Sequence, residues 1–177
     1  MQPERATFLD PDIAWLQRLL PVARRIFTDT FARHYDAAAF ERFCNSVYLP
    51  GGSMSRDFDD PAIRWYIATA DNQPIGYAKL TPLRAPVENP ARDALELQQL
   101  YVQGAWQGRG VADALMQWAL QTARTQGASE VYLTVFDHNV RAKQFYARYA
   151  FEEVGRCTFQ LGDRIDDDRI WRTRLTR

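Results

Sequence analysis

The residues best suited to chemistry stand together at Gln107-Gly108-Arg109-Gly110-Val111-Ala112. Two glycines bracket an arginine just where the chain takes up helical periodicity. A turn of this kind can aim successive backbone N–H groups at one point. The first N–H groups of a helix lack internal partners, and the macrodipole adds partial positive charge there. Glycine suits such a turn because it leaves room for close approach and accepts positive φ. The pattern favours a phosphate or pyrophosphate group. Residues 94–102, directly before it, read as a β-strand that would place the chemistry beside the bound group.

Other chemistries find less support. A P-loop needs a lysine and a Ser/Thr after its glycines, and these are missing, as is the Rossmann spacing. Cys44 and Cys157 lie far apart with no CxxC pair, and His34 and His138 are the only histidines. No metal site is expected, and the cysteines read as reduced thiols. Lys plus Arg is 22 and Asp plus Glu is 22, so the net charge is zero. A nucleic-acid partner bound through bulk charge would normally require a basic excess. No apolar run approaches the length of a membrane span, and residues 1–10 do not resemble a secretory signal. The expectation is a cytoplasmic protein with neither nucleic-acid nor membrane partner.

The remaining chain must position these residues. Its 177 residues, 46% hydrophobic and 25% charged, fit one domain over 1–177 with a sizeable core. A short strand is expected at 4–9, then a helix over about 11–29, started by Asp10-Pro11-Asp12 and kinked or split by Pro21. A second helix starts near Asp36 and carries Phe40 and Phe43, with a short helix or turn at 53–58. Residues 63–70 and 75–83 read as an antiparallel hairpin, and 84–92 as a loop. The helix over 111–126 shows a stripe of Val111, Leu115, Trp118, Ala119 and Thr122, with Gly127 at its C-terminal cap. A strand at 131–135 and a helix capped by Asn139 and running to about 149 follow. Residues 151–161 and 165–175 read as closing strands, with Asp166-Asp167-Asp168 at a turn or bulge. Those apolar and aromatic strands could pair between two subunits of a homodimer or fill a monomer's core. The element order gives an α+β fold: a mixed, largely antiparallel central sheet of six to seven strands with helices on both faces.

This order and two motifs together resemble the general N-acetyltransferase (GNAT) superfamily. Gln107-Gly108-Arg109-Gly110-Val111-Ala112 is similar to its Q/R-x-x-G-x-G/A signature, which holds the pyrophosphate of acetyl-CoA. Asn139-Val140-Arg141-Ala142-Lys143-Gln144-Phe145-Tyr146 is similar to N-x-x-A-x-x-F-Y on a later helix. The resemblance covers most of residues 4–175 and implies the acyl-CoA N-acyltransferase fold. Phe27-Thr28-Asp29-Thr30-Phe31, the stretch at 74–80 and Glu96-Leu97-Gln98-Gln99-Leu100-Tyr101-Val102 also resemble the bacterial spermidine/spermine acetyltransferase branch. The family usually has Gly-Phe where this chain has Ala150-Phe151. Ala150 must take another backbone path or carry about 1 kcal/mol of strain.

The resemblance implies an acetyl-CoA-dependent N-acetyltransferase acting on a primary amine of a small molecule, a polyamine included. Its cofactor-binding residues would be Gln107, Gly108, Arg109, Gly110, Val111, Ala112, Asn139 and Ala142. Main-chain groups of Leu100, Tyr101 and Val102 would bind the pantetheine arm like an added strand, where the sheet splays. Tyr146 would protonate the CoA thiolate, which suits a phenol's ordinary pKa near 10. Glu96, between Leu95 and Leu97, is the candidate base, or it holds a second ammonium group. Period two puts it on the face of Gln98 unless a bulge intervenes. A packing role for Tyr146 and a solvated or ion-paired role for Glu96 are the plainer alternatives. Acetylation of a protein or peptide, and acyl-CoA binding without turnover, are the competing functions.

Overall fold

The computed structural model describes residues 5–176. The order is β1 (Thr7–Leu9), α1 (Ile13–Phe31), α2 (Ala37–Tyr48), α3 (Ser53–Asp59), β2 (Arg64–Ala70), β3 (Gln73–Pro82) and β4 (Leu95–Val102). Then come α4 (Val111–Thr125), β5 (Glu130–Phe136), α5 (Val140–Ala147), β6 (Glu152–Leu161) and β7 (Arg164–Arg174). One seven-stranded sheet runs β1-β2-β3-β4-β5-β7-β6, with every neighbour antiparallel except β4 and β5. Glu4, expected in the first strand, lies outside the described residues. The expected mixed sheet with helices on both faces is what forms.

Each face of the sheet is covered by helices, so two apolar layers result. α4 packs Leu115, Met116 and Ala119 onto Ala78, Leu80, Leu97 and Leu133, with the aromatic side chains of α5 at the border. On the other face α1, α2 and α3 bring Leu19, Phe27, Phe40 and Met54 onto Trp65, Ile67 and Tyr77. β3 lies between both layers and is buried from Pro74 to Thr81. A strand covered on both faces reads as an apolar run, which makes the buried Lys79 within it conspicuous.

Local details depart from expectation at three points. Pro21 does not divide α1, which is continuous from Ile13 to Phe31. Pro21 and Gln17 both sit on the exposed side, so the carbonyl that loses its N–H partner faces water. The helix cap is Asp12, whose carboxylate accepts the Trp15 N–H at 3.1 Å, and Pro11 stays outside the helix. Asp166-Asp167-Asp168 forms no turn. Those residues lie within β7, and the reversal falls at Gly162, which takes φ +61. Glycine supplies the left-handed turn there at no steric cost, and the three acids are simply carried into the ladder.

After α5, the Phe151 N–H reaches the Tyr146 carbonyl at 3.3 Å, and Ala150 has φ +59. Of the two alternatives at this position, the left-handed one is realised, where a Cβ is strained. Replacing Ala150 by glycine removes that strain but frees the unfolded chain, so a small net gain of about 0.5 kcal/mol is expected. Urea unfolding of A150G checks it: the midpoint rises with an unchanged slope.

Candidate active site

The turn into α4 is built by conformation more than by contacts. A short 3-10 turn, Gly104–Trp106, buries Trp106 against the core, and the chain then leaves through Gly108 and Gly110 at φ +75 and +81. A Cβ at either glycine would meet nothing within 4 Å, so the space in front of this turn is open. Gly110 caps α4 without a side-chain hydrogen bond, and the first intrahelical bond is Ala114 N–H to the Gly110 carbonyl. The N–H groups of Val111, Ala112 and Asp113 are thereby left for an outside acceptor. Facing them, Arg141 of α5 donates to the Gln107 side chain at 2.6 Å, and Gln107 donates to the Val102 carbonyl at 3.1 Å. Asn139 caps α5 by accepting the Ala142 N–H at 3.1 Å. Asp137 ties that helix start to β7 through Lys143 at 2.6 Å and Arg169 at 2.8 Å.

β4 makes the second part of the site. It pairs with β5 only at Leu95 with Val131 and Glu96 with Tyr132, although both strands run on. Beyond Glu96 the two strands part and leave one edge of β4 unpaired. A cleft of about 1160 Å3 fills the gap, running from Gly108 and Ala112 past Leu100 and Tyr101 to Phe27 and Asp57. The register of β4 against β3 slips between Lys79–Gln99 and Leu80–Leu97, so Gln98 is an inserted residue. This bulge reverses the alternation. Leu97 faces the α4 layer, yet Tyr101 packs on the α1–α3 side, where unbroken period two would have put it with Leu97.

One end of the cleft holds a charge network. Lys79, 4% exposed, donates to Asp57 at 2.6 Å and lies 5.2 Å from the Trp65 ring centre. Asp57 also receives both terminal nitrogens of Arg84, at 2.9 and 3.1 Å. Burial lowers the Lys79 pKa, and it pushes Asp57 up. The hydrogen bonds and charges of Arg84 and Lys79 outweigh that push and hold Asp57 below the usual carboxylate range. Glu96, also 4% exposed, accepts the main-chain N–H groups of Arg84 and Ala85, both at 2.8 Å and both on Oε2. Its carboxylate thus holds the start of the 84–92 loop over the sheet.

At the mouth of the parting stand Tyr146, Tyr101 and Asp168. Tyr146 of α5 is half-buried between Phe145 and Phe151, and burial pushes its phenol up to about 12. Burial, then the nearness of Tyr146 and of Asp168, raises Tyr101 as well. Tyr101 therefore sits within electrostatic reach of both. Asp168 is raised to about 6, first by burial and then by Asp166 and Asp167. Asp166 itself is committed elsewhere, binding the Tyr35 hydroxyl at 2.5 Å and Arg164 at 2.6 Å.

Of the residues singled out in the sequence, Glu96, Leu100, Tyr101, Val102, Gln107, Gly108, Gly110, Ala112, Asn139, Ala142 and Tyr146 all line this one cleft. Arg109 instead stacks on Trp106, 5.2 Å from its ring centre, and Val111 is 2% exposed in the core, so only its main chain can serve. Arg141, Lys79 and Asp168 carried no site role in the sequence. Each breaks a local preference: a cation in the first turn of a helix, a lysine in a buried strand, an acid inside a ladder. Among the described residues no group of three His, Cys, Asp or Glu side chains is placed to hold a metal, and no helix is long and apolar enough to cross a membrane.

Residues 20–151 match the sequence profile of the acetyltransferase (GNAT) family. An uncharacterized N-acetyltransferase of Mycobacterium tuberculosis is 37% identical over 122 residues, covering 69% of this chain and 74% of that one. Another, from Lactobacillus delbrueckii, is 26% identical over 160 residues, covering 90% and 92%. Among solved structures, the PaiA N-acetyltransferase of Thermoplasma acidophilum in complex with coenzyme A superposes with a TM-score of 0.77 at 20% identity, covering 97% of this chain and 99% of that one. A Salmonella typhimurium structure with acetyl-CoA gives 0.73 at 14% identity, covering 97% and 94%.

The network under the cleft has a measurable consequence. Removing Asp57 leaves Lys79 buried beside Arg84 with no bonded counter-charge and only the more distant Glu96 carboxylate to oppose it. D57A should lower stability by about 3 kcal/mol, and adding K79M should restore most of it, because the stranded charge goes too. Denaturant unfolding of the two variants reads both effects.

Proposed function

The chain belongs to the acetyltransferase (GNAT) family, and from that premise we propose that it moves an acetyl group from acetyl-CoA to a primary amine of a small molecule. The observation that carries this reading is the pairing of a free helix N-terminus with a free strand edge along one cleft. The residues fit acetyl-CoA at both. The N–H groups of Val111, Ala112 and Asp113, with Arg141 beside them, would hold the pyrophosphate. The exposed edge of β4 at Leu100 and Tyr101 would take the pantetheine amides as an added strand. When bound, acetyl-CoA supplies an activated acyl group and a thiolate leaving group.

The protein's own groups then have three tasks. A main-chain N–H of β4 beside the bulge polarises the acyl carbonyl. Tyr146 offers its proton to the departing sulfur. Its phenol stays protonated across the working pH range, and the same dry surroundings raise the sulfur's own demand for a proton. Glu96 takes a proton from the amine, by way of water, since its carboxylate is nearly buried and both its main-chain partners sit on Oε2. The helices α1 to α3 line the far end of the cleft together with Arg84, the first residue of the 84–92 loop. Helices on that side favour a small amine, a polyamine among them, over an extended peptide.

Release of free CoA from acetyl-CoA in the presence of small amines and peptides tests the reading. Turnover with a small amine is the expected result, and binding without turnover would replace it with a carrier or sensor role. G110V should weaken acetyl-CoA at least about tenfold by calorimetry, because valine cannot rest at φ +81 without moving the first N–H groups. Unchanged affinity would mean that the pyrophosphate lies elsewhere. Y146F and E96Q should each cut kcat by about ten- to a hundredfold at unchanged acetyl-CoA affinity. A normal rate at every pH in E96Q would remove Glu96 from the chemistry.

A further inference from the structure

The acceptor end of the cleft contains hydrogen-bond acceptors that no group among the described residues satisfies. The carboxylates lining the cleft are Asp29, Asp57, Glu96, Asp113 and Asp168. Asp29 has Arg25 at 3.8 Å, and Asp57 has Lys79 and Arg84. Glu96 has two main-chain N–H groups, and Asp113 has Arg148 and the Tyr149 hydroxyl. Asp168 alone accepts no hydrogen bond and joins no ion pair among the described residues. Independently, the side-chain carbonyls of Gln98 and Gln99, which line the same cleft, are buried with no donor. Buried polar atoms are ordinarily paired, so two buried unpaired carbonyls, with the half-buried Asp168 carboxylate on the same cavity, mark a place for a donor-rich group.

Their position is as informative as their chemistry. Asp168 pairs with Phe136 at the end of β5, the strand that parts from β4. Gln98 is the bulge residue and Gln99 its neighbour, on the strand that faces the parting from the other side. Tyr101 spans the interval, close enough to Asp168 and Tyr146 for both to oppose its ionisation. Asp168 thus stands across the opening from the strand edge at which the acyl group would be presented.

We propose that Asp168 anchors the acceptor amine as it enters in its ammonium form, with the Gln98 and Gln99 carbonyls as further hydrogen-bond acceptors, so that this end of the cleft selects cationic amines; the amine then gives one proton through water to Glu96 before its lone pair attacks. The inference rests on the acetyl-transfer reading above and assigns its specificity to a residue that reading does not use. An ammonium group carries three donors and one charge, which match two neutral acceptors and one carboxylate.

The anchor is charge-dependent. Burial, followed by Asp166 and Asp167, brings the Asp168 carboxyl up to about 6, so it is charged above that pH and neutral below it. Other titratable groups around it are Tyr101 of β4, Tyr35 before α2 and Cys157, its register partner on β6. Arg164 is bound to Asp166, and the Glu96 charge is felt at Cys157. His34 and His138 both contact the ring of Phe136. The Michaelis constant for an amine acceptor should therefore climb as pH falls through about 6, and a variant lacking the carboxylate assigns that climb to Asp168 and not to the histidines.

The test is steady-state CoA release at saturating acetyl-CoA with spermidine, putrescine, L-methionine and an alanine-terminated tetrapeptide as probes. D168N should raise KM for the probe the wild type uses best by about ten- to a hundredfold, leave kcat within about threefold, leave acetyl-CoA affinity unchanged and abolish the acid climb in KM. D168E should keep the wild-type KM within a fewfold, which separates lost charge from lost packing should D168N fold poorly. D167N, on the exposed neighbour, should keep the wild-type KM above neutral pH and move the acid climb only slightly, to lower pH, because one of the charges that raises Asp168 is gone. Wild-type KM in folded D168N, an equal effect in D167N, or a fall in kcat without a rise in KM would each overturn the anchor. Absence of turnover with every probe in the wild type would overturn the transfer reading, and the anchor with it.

Discussion

The structure depends on the parting of β4 from β5. Two residue pairs, at Leu95 and Glu96, hold the strands together, and beyond them the ladder stops while both strands continue. Main-chain groups inside a protein are nearly always paired, and an open strand edge is normally covered or blunted. Here the edge is left free along a cleft bounded by helices on both faces of the sheet. What keeps the parting open is the frame around it. β3 holds β4 on one side along its full length, and β7 holds β5 on the other from Glu130 to Phe136. Each half of the sheet is thus hydrogen-bonded along its outer side, and the gap lies between two continuous ladders.

That gap separates two electrostatic environments. One end offers donors: the free N–H groups at the start of α4 and the Arg141 guanidinium held by Gln107. The other offers acceptors: Asp168 and the unpaired carbonyls of Gln98 and Gln99. Between them the bulge at Gln98 turns Tyr101 toward the α1–α3 layer. The same bulge keeps Leu100 and Val102 with the α4 layer, so one inserted residue lets a single strand serve both layers and both ends of the cleft. Glu96, placed just before the parting, has a structural task in holding the 84–92 loop as well as any chemical one.

Much of this was legible in the sequence because it is local. The glycine turn, the Asn139 cap and the stripe of α4 are short-range patterns whose physics does not depend on the rest of the chain. At Ala150 the same local reasoning leaves two alternatives, and the chain takes the left-handed one. Pro21 misled because whether a proline breaks a helix depends on which side the lost hydrogen bond faces, and that is set by packing. The acids at 166–168 misled because composition resembles a turn, whereas the actual reversal needed only Gly162. Lys79, Arg141 and Asp168 were missed because their meaning lies in partners far along the chain. Lys79 is understood only with Asp57 and Arg84, Arg141 with Gln107, and Asp168 by its place across from β4, where no other described residue bonds its carboxylate.

The central claim, that the free α4 N-terminus and the free β4 edge together receive one extended donor molecule, is tested most directly by a crystal structure with acetyl-CoA bound. The account predicts pyrophosphate oxygens within hydrogen-bond distance of the Val111, Ala112 and Asp113 N–H groups. It also predicts pantetheine amides paired to the β4 main chain beyond Glu96, with the thioester at the parting beside Tyr101 and Tyr146. A donor bound outside the cleft, or one whose pantetheine leaves the β4 edge unpaired, would contradict it.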